Sequence, residues 1–222
     1  VLISLYSFQM KTNQQLILDK EEIANLMTHG IGVIASAVGL GFLLYYAIMN
    51  GGIWEQVSFG IFGTTMLIVF LSSTIFHAIR SPKWKIIFQT VDQSAIFLLI
   101  AGSYAPFCLI SMRGPWGWSI LSIVWALAIT GIMLKLYYQN QVVKPFVFLY
   151  VLMGWLCVIA IREMLENIPE FSLLLIVIGG AFYMIGIIFY LWEKLPYNHA
   201  IWHVFVLGGC ASHYMAVLDL VL

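Results

Sequence analysis

Seven apolar runs, joined by short polar connections, constrain this chain more than any other feature of its sequence. A helix needs about 20 residues to cross the hydrocarbon core of a bilayer. The runs lie near residues 29–49, 54–77, 88–111, 117–137, 145–161, 171–192 and 198–221. No linker or shift in composition divides them, so we expect one transmembrane domain at 29–222. The predicted fold is all-α: a polytopic membrane protein built as a seven-transmembrane-helix bundle.

The composition excludes a soluble globular protein. Of the 222 residues, 62% are hydrophobic and 9% are charged, whereas soluble domains contain about 45–50% apolar and about 25% charged residues. The formal net charge is zero, which gives no reason to expect a nucleic-acid partner. Cys108, Cys157 and Cys210 lie in apolar runs and form no C-x-x-C motif. They predict neither a disulfide framework nor a thiolate metal site.

Residues 1–28 precede the first long run, and we interpret them as an N-terminal cytoplasmic segment. The apolar stretch at residues 1–8 is far shorter than a membrane span. Met10-Lys11-Thr12 resembles a natural start. Residues 1–9 are therefore expected to be an upstream extension without a role.

The distribution of lysine and arginine predicts the orientation of the bundle. With the N-terminus inside, eight basic residues fall in the inner segments, and two, Arg113 and Arg162, fall in the outer segments. The inner set is Lys11, Lys20, Arg80, Lys83, Lys85, Lys135, Lys144 and Lys194. Cytoplasmic segments of membrane proteins carry such an excess. We expect the N-terminus inside and, after an odd number of spans, the C-terminus outside.

Two histidines, His199 and His203, stand four residues apart at the start of the seventh run. On a helix this spacing places both side chains on one face, one turn apart. Two imidazoles so placed can bind one metal ion, and ionisable groups inside a membrane helix by default indicate function. The pair taken alone fits equally well two histidines that cap a helix at the lipid interface.

The predicted topology places several ionisable residues at one depth. Four of the five histidines fall in the inner leaflet: His29, His77, His199 and His203. Asp92 lies one turn into the third run, at the same depth. A carboxylate within a span must be paired, protonated or bound to a metal, and by depth its nearest partners are the histidines. His213 lies ten residues beyond His203 and is expected to form a helix–helix hydrogen bond.

Three of these imidazoles, from His77, His199 and His203, would form a three-nitrogen metal site. Structural zinc usually has four protein ligands, whereas three ligands and a water are the pattern of catalytic zinc. Imidazole suits zinc and no thiolate is present, so Zn²⁺ is the expected cofactor, with iron or another divalent ion as the alternative.

Asp92 and Ser73 are the candidate catalytic residues beside this site. Asp92 would orient the metal-bound water or accept its proton. Ser73 lies one turn before His77, on the same face. Its hydroxyl would hydrogen-bond a ligand or water, or merely bond back to the carbonyl of Val69.

Three spaced motifs resemble those of the progestin and adipoQ receptor superfamily, most closely its bacterial hemolysin III branch. They are Glu22-x-x-Asn25-x-x-x-His29, then Ser73-Thr74-Ile75-Phe76-His77 followed by Asp92, then His199-x-x-x-His203. The resemblance runs from about residue 22 to the C-terminus. It implies zinc at His77, His199 and His203 near the cytoplasmic face, with Ser73 and Asp92 around the bound water. It also implies a bacterial plasma membrane protein.

The resemblance assigns no role to the residues of the first motif. Glu22 and Asn25 suit the beginning of a helix, so Glu22, Asn25 and His29 are open to interpretation as an N-terminal capping cluster. The animal receptors carry a long soluble N-terminal region that the sequence in hand does not include, so hormone binding is not expected from the resemblance.

The superfamily is linked to alkaline-ceramidase-like membrane hydrolases. The resemblance therefore implies a zinc-dependent hydrolase of a lipid amide or ester, with membrane lipids as partners and a substrate that enters sideways between helices. The alternative is a non-enzymatic cytolysin, lipid or fluidity sensor, or regulator, in which zinc only ties the second and seventh spans together. An ion transporter is disfavoured because repeats and polar residues in the outer half are lacking. The sequence does not specify the oligomeric state.

Overall fold

The structure is a computed structural model that describes the backbone of residues 2–138 and 143–221. It describes the side chains of residues 20–138, 143 and 145–221. The expected extension at residues 1–9 lies outside the described side chains, as do Lys11 and Lys144 of the basic set and the C-terminal Leu222.

All described secondary structure is helical, which confirms the all-α prediction. The helices are α1 (Leu2–Asn50), α2 (Ile53–Ala78), α3 (Pro82–Pro106), α4 (Pro115–Tyr138), α5 (Lys144–Trp155), α6 (Ile161–Asn167), α7 (Glu170–Leu191) and α8 (Asn198–Asp219). A π-helical turn at Phe107–Ser111 continues α3, and a 3-10 turn at Leu156–Ala160 joins α5 to α6.

Seven helical segments within the described residues are long and apolar enough to cross a membrane. They are Lys20–Asn50, Ile53–Ala78, Pro82–Ser111, Pro115–Tyr138, Pro145–Asn167, Glu170–Leu191 and Asn198–Asp219. The fifth combines α5, the 3-10 turn and α6. The chain is therefore a multi-pass integral membrane protein with a seven-helix bundle, as predicted.

The outward-facing surface of the bundle is apolar. On α1, Ile31, Ile34 and Val38 expose 62%, 69% and 69% of their surface, and on α7 Val177 exposes 68%. A soluble monomer rarely exposes contiguous apolar patches of this kind. In a bilayer the same side chains meet lipid chains, so their exposure is compatible with a stable fold.

Small residues let α1, α2 and α3 approach closely. A Cβ atom on Gly32 would lie 2.4 Å from the Phe70 ring, and one on Gly102 would lie 2.1 Å from Thr65 Oγ1. Glycine at a helix contact allows close packing of backbones in a membrane. The contact of Gly32 with Phe70 brings α1 against α2, which places the N-terminal half of the first span beside the end of α2.

Several helices extend beyond the apolar runs that predicted them. The third span begins at Pro82 rather than near residue 88, because proline suits the first turn of a helix. The fifth ends at Asn167 rather than near residue 161. Its added turns carry Arg162, whose Nε donates to Glu166 Oε1 at 2.8 Å. Hydropathy predicts the part of a helix inside the bilayer, whereas backbone hydrogen bonding continues into polar sequence.

Candidate metal centre

Three histidines converge where α2 ends and α8 begins, at a place we call the histidine end of the bundle. His77 is the second-last residue of α2, and His199 and His203 lie in the first two turns of α8. The ring centroids are 5.1 Å apart for His77 and His199, 5.1 Å for His77 and His203, and 4.5 Å for His199 and His203. One ligand nitrogen from each lies within 4.8 Å of the others. This spacing allows all three to reach one ion.

The donor atoms of this cluster fit a divalent metal ion. Nε2 of His77 and Nε2 of His199 are buried and have no hydrogen-bond partner among the described residues. Leaving a buried polar atom unpaired costs about 1–3 kcal/mol, and a metal ion within reach of both nitrogens would satisfy them. The group that converges contains no cysteine, and an all-imidazole set suits zinc and neighbouring transition metals.

Glu22 of α1 holds the opposite side of the His77 ring. Its Oε2 lies 2.5 Å from His77 Nδ1, and its Oε1 accepts a hydrogen bond from Lys85 Nζ at 2.8 Å. An ionised carboxylate only accepts hydrogen bonds, so His77 donates from Nδ1 and keeps its lone pair on Nε2. The interpretation of Glu22, Asn25 and His29 as a capping cluster is wrong, because α1 already begins at Leu2.

Thr28 of α1 makes a similar contact with His203. Its Oγ1 lies 3.1 Å from His203 Nδ1 and 2.9 Å from the carbonyl oxygens of Ala24 and Asn25. With its hydrogen donated to one of those carbonyls, the hydroxyl oxygen can accept from His203 Nδ1–H. Sequence reasoning missed Thr28, because a threonine in an apolar helix ordinarily bonds only to its own backbone.

His29 and Asn25 lie next to the cluster without joining it. The His29 ring stacks on His203 with centroids 3.5 Å apart, and its edge packs against Phe70 at 5.2 Å. Both ring nitrogens of His29 and Oδ1 of Asn25 are buried and have no hydrogen-bond partner within the part of the chain that the structure describes. The structure therefore brings all four of the predicted inner-leaflet histidines together, and gives His29 a place beside the three that converge.

Asp92 lies next to Ser73. The two side chains are neighbours, although among the described residues no hydrogen bond of ordinary geometry is recorded for Ser73 Oγ. No ion pair or hydrogen bond links Asp92 directly to a histidine in that part of the chain. Ser72, rather than Ser73, bonds back to the carbonyl of Val69, at 3.1 Å. Both Ser73 and Asp92 are buried.

The segment that leads into α8 is also held by α1. Tyr197, immediately before the helix, has a φ of 59°, a conformation that is unfavourable for residues other than glycine. Its backbone N–H donates to Glu21 Oε1 at 2.9 Å. The Tyr190 ring of α7 packs 5.8 Å from that of His199. These contacts fix the approach of His199 to the cluster.

His213 has the structural role expected from the sequence. Its Nε2 lies 3.4 Å from the carbonyl oxygen of Ile176 on α7, a long hydrogen bond, and its ring packs against Tyr183. It does not belong to the group of converging histidines.

Comparison with known proteins gives consistent results. A family model described as "Haemolysin-III related" matches residues 19–214. The chain is 47% identical over 203 residues to "Hemolysin-3" of Bacillus cereus, covering 91% of this chain and 93% of that protein. It is 46% identical over 199 residues to the "Hemolysin-3 homolog" of Bacillus subtilis (strain 168), covering 90% and 93%. It is 28% identical over 205 residues to "Monocyte to macrophage differentiation factor" of Homo sapiens, covering 89% and 83%.

Proposed function

The chain belongs to the haemolysin-III-related family, and we propose that it is a metal-dependent hydrolase of a lipid amide or ester in the bacterial plasma membrane. The observation that carries the proposal is the convergence of His77, His199 and His203 within 4.8 Å. The burial of two unpartnered Nε2 atoms at that point supports a metal ion there. Three nitrogen ligands leave a coordination position open, which is typical of catalytic rather than structural sites.

Zinc is the metal that this donor set favours. Imidazole binds zinc well, and the cluster has neither the thiolates of a structural zinc site nor the oxygen-rich shell that magnesium or calcium prefers. A zinc ion held by these histidines would lower the pKa of a bound water to about 7 and polarise a substrate carbonyl oxygen.

Asp92 is the group best placed to manage a proton. It is buried in α3, next to the buried Ser73 of α2. A carboxylate at hydrogen-bond reach of the attacking water can accept its proton and return it to the leaving group. Ser73, whose hydroxyl has no other hydrogen-bond partner among the described side chains, would orient that carboxylate or the water.

Asn25 and His29 are suited to the polar part of a lipid. Three polar atoms of these side chains are buried without hydrogen-bond partners among the described residues, on the α1 side of the cluster. Unpaired buried polar atoms are rare in native proteins. A substrate carbonyl oxygen could accept from the N–H of His29, and the N–H of a lipid amide could donate to Asn25 Oδ1, whereas an ester provides only the acceptor. The apolar outer surface of the bundle allows such a lipid to approach from the side.

A non-enzymatic function is the competing proposal. Asp92 is not one of the groups whose ligand atoms converge, which is compatible with this function, because a metal that only ties α2 to α8 needs no base. Two relatives carry names that refer to haemolysis. In this case the chain would be a cytolysin, a lipid or fluidity sensor, or a regulator with a structural zinc ion.

The decisive experiment measures hydrolysis by the purified protein. The full chain, in detergent or lipid nanodiscs, is incubated with ceramide-type substrates and with phospholipids, before and after chelation and after zinc is restored. We expect product release that chelation abolishes and zinc restores, with His203→Ala inactive throughout. If the protein is added to dye-filled liposomes and the dye leaks out without release of any lipid product, the competing function is favoured.

A further inference from the structure

We propose that α1 is a positioning helix for the metal centre, in which Glu22 and Thr28 set the tautomer and orientation of two of the three ligand imidazoles. This inference rests on the proposed metal site. It assigns a role to one residue of the first sequence motif, Glu22, and to Thr28, which that motif does not include.

The contacts of Glu22 are those of an orienting carboxylate. It accepts from His77 Nδ1 on one oxygen and from Lys85 Nζ on the other. Lys85 Nζ also lies 4.4 Å from the centre of the Phe76 ring. This contact helps to hold the ammonium group in place, and with it the carboxylate of Glu22. Glu22 is half-exposed whereas the His77 side chain is buried. The contact between Glu22 and His77 therefore joins a half-exposed residue at the edge of the site to a buried one inside it.

Thr28 orients His203 by a neutral hydrogen bond. When its hydrogen is donated to the carbonyl oxygen of Ala24 or Asn25, each 2.9 Å away, its oxygen can accept from His203 Nδ1–H at 3.1 Å. The wrong tautomer of His203 would place N–H where a lone pair is needed.

Neither residue is a ligand. The group of converging ligand atoms contains three histidines and does not include Glu22. Each instead contacts the Nδ1 edge of a ring whose other nitrogen is the candidate ligand. Groups in this position fix the tautomer and raise the basicity of metal-binding histidines, and their loss typically weakens metal binding about 10–100-fold.

The test is a cobalt titration of the metal-depleted full-length protein in detergent. Co²⁺ is the probe because its visible absorption reports the geometry of its ligands. Two pairs of variants separate hydrogen bonding from packing. Thr28→Val keeps the shape and removes the hydroxyl, whereas Thr28→Ser keeps the hydroxyl. Glu22→Leu removes the acceptor, whereas Glu22→Gln keeps a neutral one.

We expect Thr28→Val and Glu22→Leu to bind Co²⁺ about 10–100-fold more weakly than wild type, with an altered absorption band. Thr28→Ser should bind within a few-fold of wild type, and Glu22→Gln should bind more tightly than Glu22→Leu. Glu55→Ala is the matched control, because Glu55 accepts a backbone hydrogen bond at the other end of α2. Gel filtration checks that each variant is folded.

Either of two results would overturn the inference while leaving the metal site intact: wild-type affinity in Thr28→Val and Glu22→Leu, or equal weakening in Thr28→Val and Thr28→Ser. Failure of the wild-type protein itself to bind Co²⁺ or Zn²⁺ would instead overturn the proposed function, and the inference with it.

Discussion

The imidazole of His29 lies flat against that of His203, with centroids 3.5 Å apart and ring planes 20° from parallel. The contact joins the first and last spans directly at the candidate metal centre. It supports one face of a candidate ligand ring, while both nitrogens of His29 have no hydrogen-bond partner in the described parts of the chain. Stacking and hydrogen bonding by this residue are therefore separable by substitution.

His29→Phe should keep the stack and remove the nitrogens. We expect metal content near that of wild type and a loss in kcat/KM of a few-fold to about tenfold, the effect of one hydrogen bond. Zinc analysis and lipid hydrolysis on the same preparation measure both. His29→Ala, which also loses the stack, should bind zinc more weakly. If the phenylalanine variant loses its zinc, His29 is a ligand rather than a neighbour.

Metal content tests the three-histidine site directly. The wild-type protein should hold about one zinc ion per chain, the stoichiometry of a single three-nitrogen site. His203→Ala should lose most of it, because two imidazoles hold zinc poorly. His213→Ala is the control, since His213 bonds to the backbone of α7 instead. Equal zinc in wild type and His203→Ala, measured by elemental analysis, would exclude the assignment.

The seven spans could be predicted because hydropathy reports the part of each helix that lies in the bilayer. It could not predict that the third span begins at Pro82 or that the fifth continues through Glu166. Helical hydrogen bonds need no apolar side chains, and these turns carry charged residues. For the same reason α1 runs through Glu22 without a break, which the apolar run beginning near residue 29 did not indicate.

The site was predictable in depth but not in rotation about each helix axis. The predicted topology and the spacing of His199 and His203 indicated that the histidines lie at the same depth in the membrane. Whether Asp92 faces a histidine or Ser73 depends on how α3 is rotated against α2, which a single sequence does not specify. The contact of Thr28 with His203 likewise depends on the packing of α1 against α8, since the two residues are far apart in the chain.

The orientation of the bundle is a prediction from its basic residues. A reporter fused to the C-terminus should be active only outside the cytoplasm, and one inserted after Arg80, between α2 and α3, only inside. Alkaline phosphatase and a fluorescent protein provide opposite readouts for each position. The reverse pattern would place the histidine end at the outer face.

Gly117 is required where the π-helical turn meets α4. A Cβ at this position would lie 2.3 Å from the carbonyl oxygen of Cys108 and 2.4 Å from that of Met112. These are backbone atoms that cannot rotate away, so Gly117→Ala should destabilise the protein by about 1–3 kcal/mol. Gly180→Ala is the matched control, because nothing lies within 4 Å of its added methyl group. Thermal unfolding in detergent should show a lower Tm for Gly117→Ala alone.

Asp92→Asn distinguishes the hydrolase from the structural-zinc protein. Asparagine preserves the size of the side chain and its ability to hydrogen-bond Ser73 or water, but it cannot accept a proton. Because Asp92 makes no ion pair or hydrogen bond with a histidine among the described residues, zinc should remain near wild-type occupancy at neutral pH and saturating metal. Lipid hydrolysis should fall about 10²–10⁴-fold, the usual effect of removing a general base.

The two readouts must come from one preparation, since a loss of both zinc and turnover would reflect a damaged site. Ser73→Ala provides the comparison, because it removes the neighbour of Asp92 and leaves the carboxylate. Its turnover should fall less than that of Asp92→Asn, since an unoriented base still accepts a proton. Undiminished hydrolysis by Asp92→Asn would show that Asp92 is not the base. If wild type hydrolyses no lipid while holding its zinc, the histidines serve to tie α2 to α8, and the competing function replaces the hydrolase.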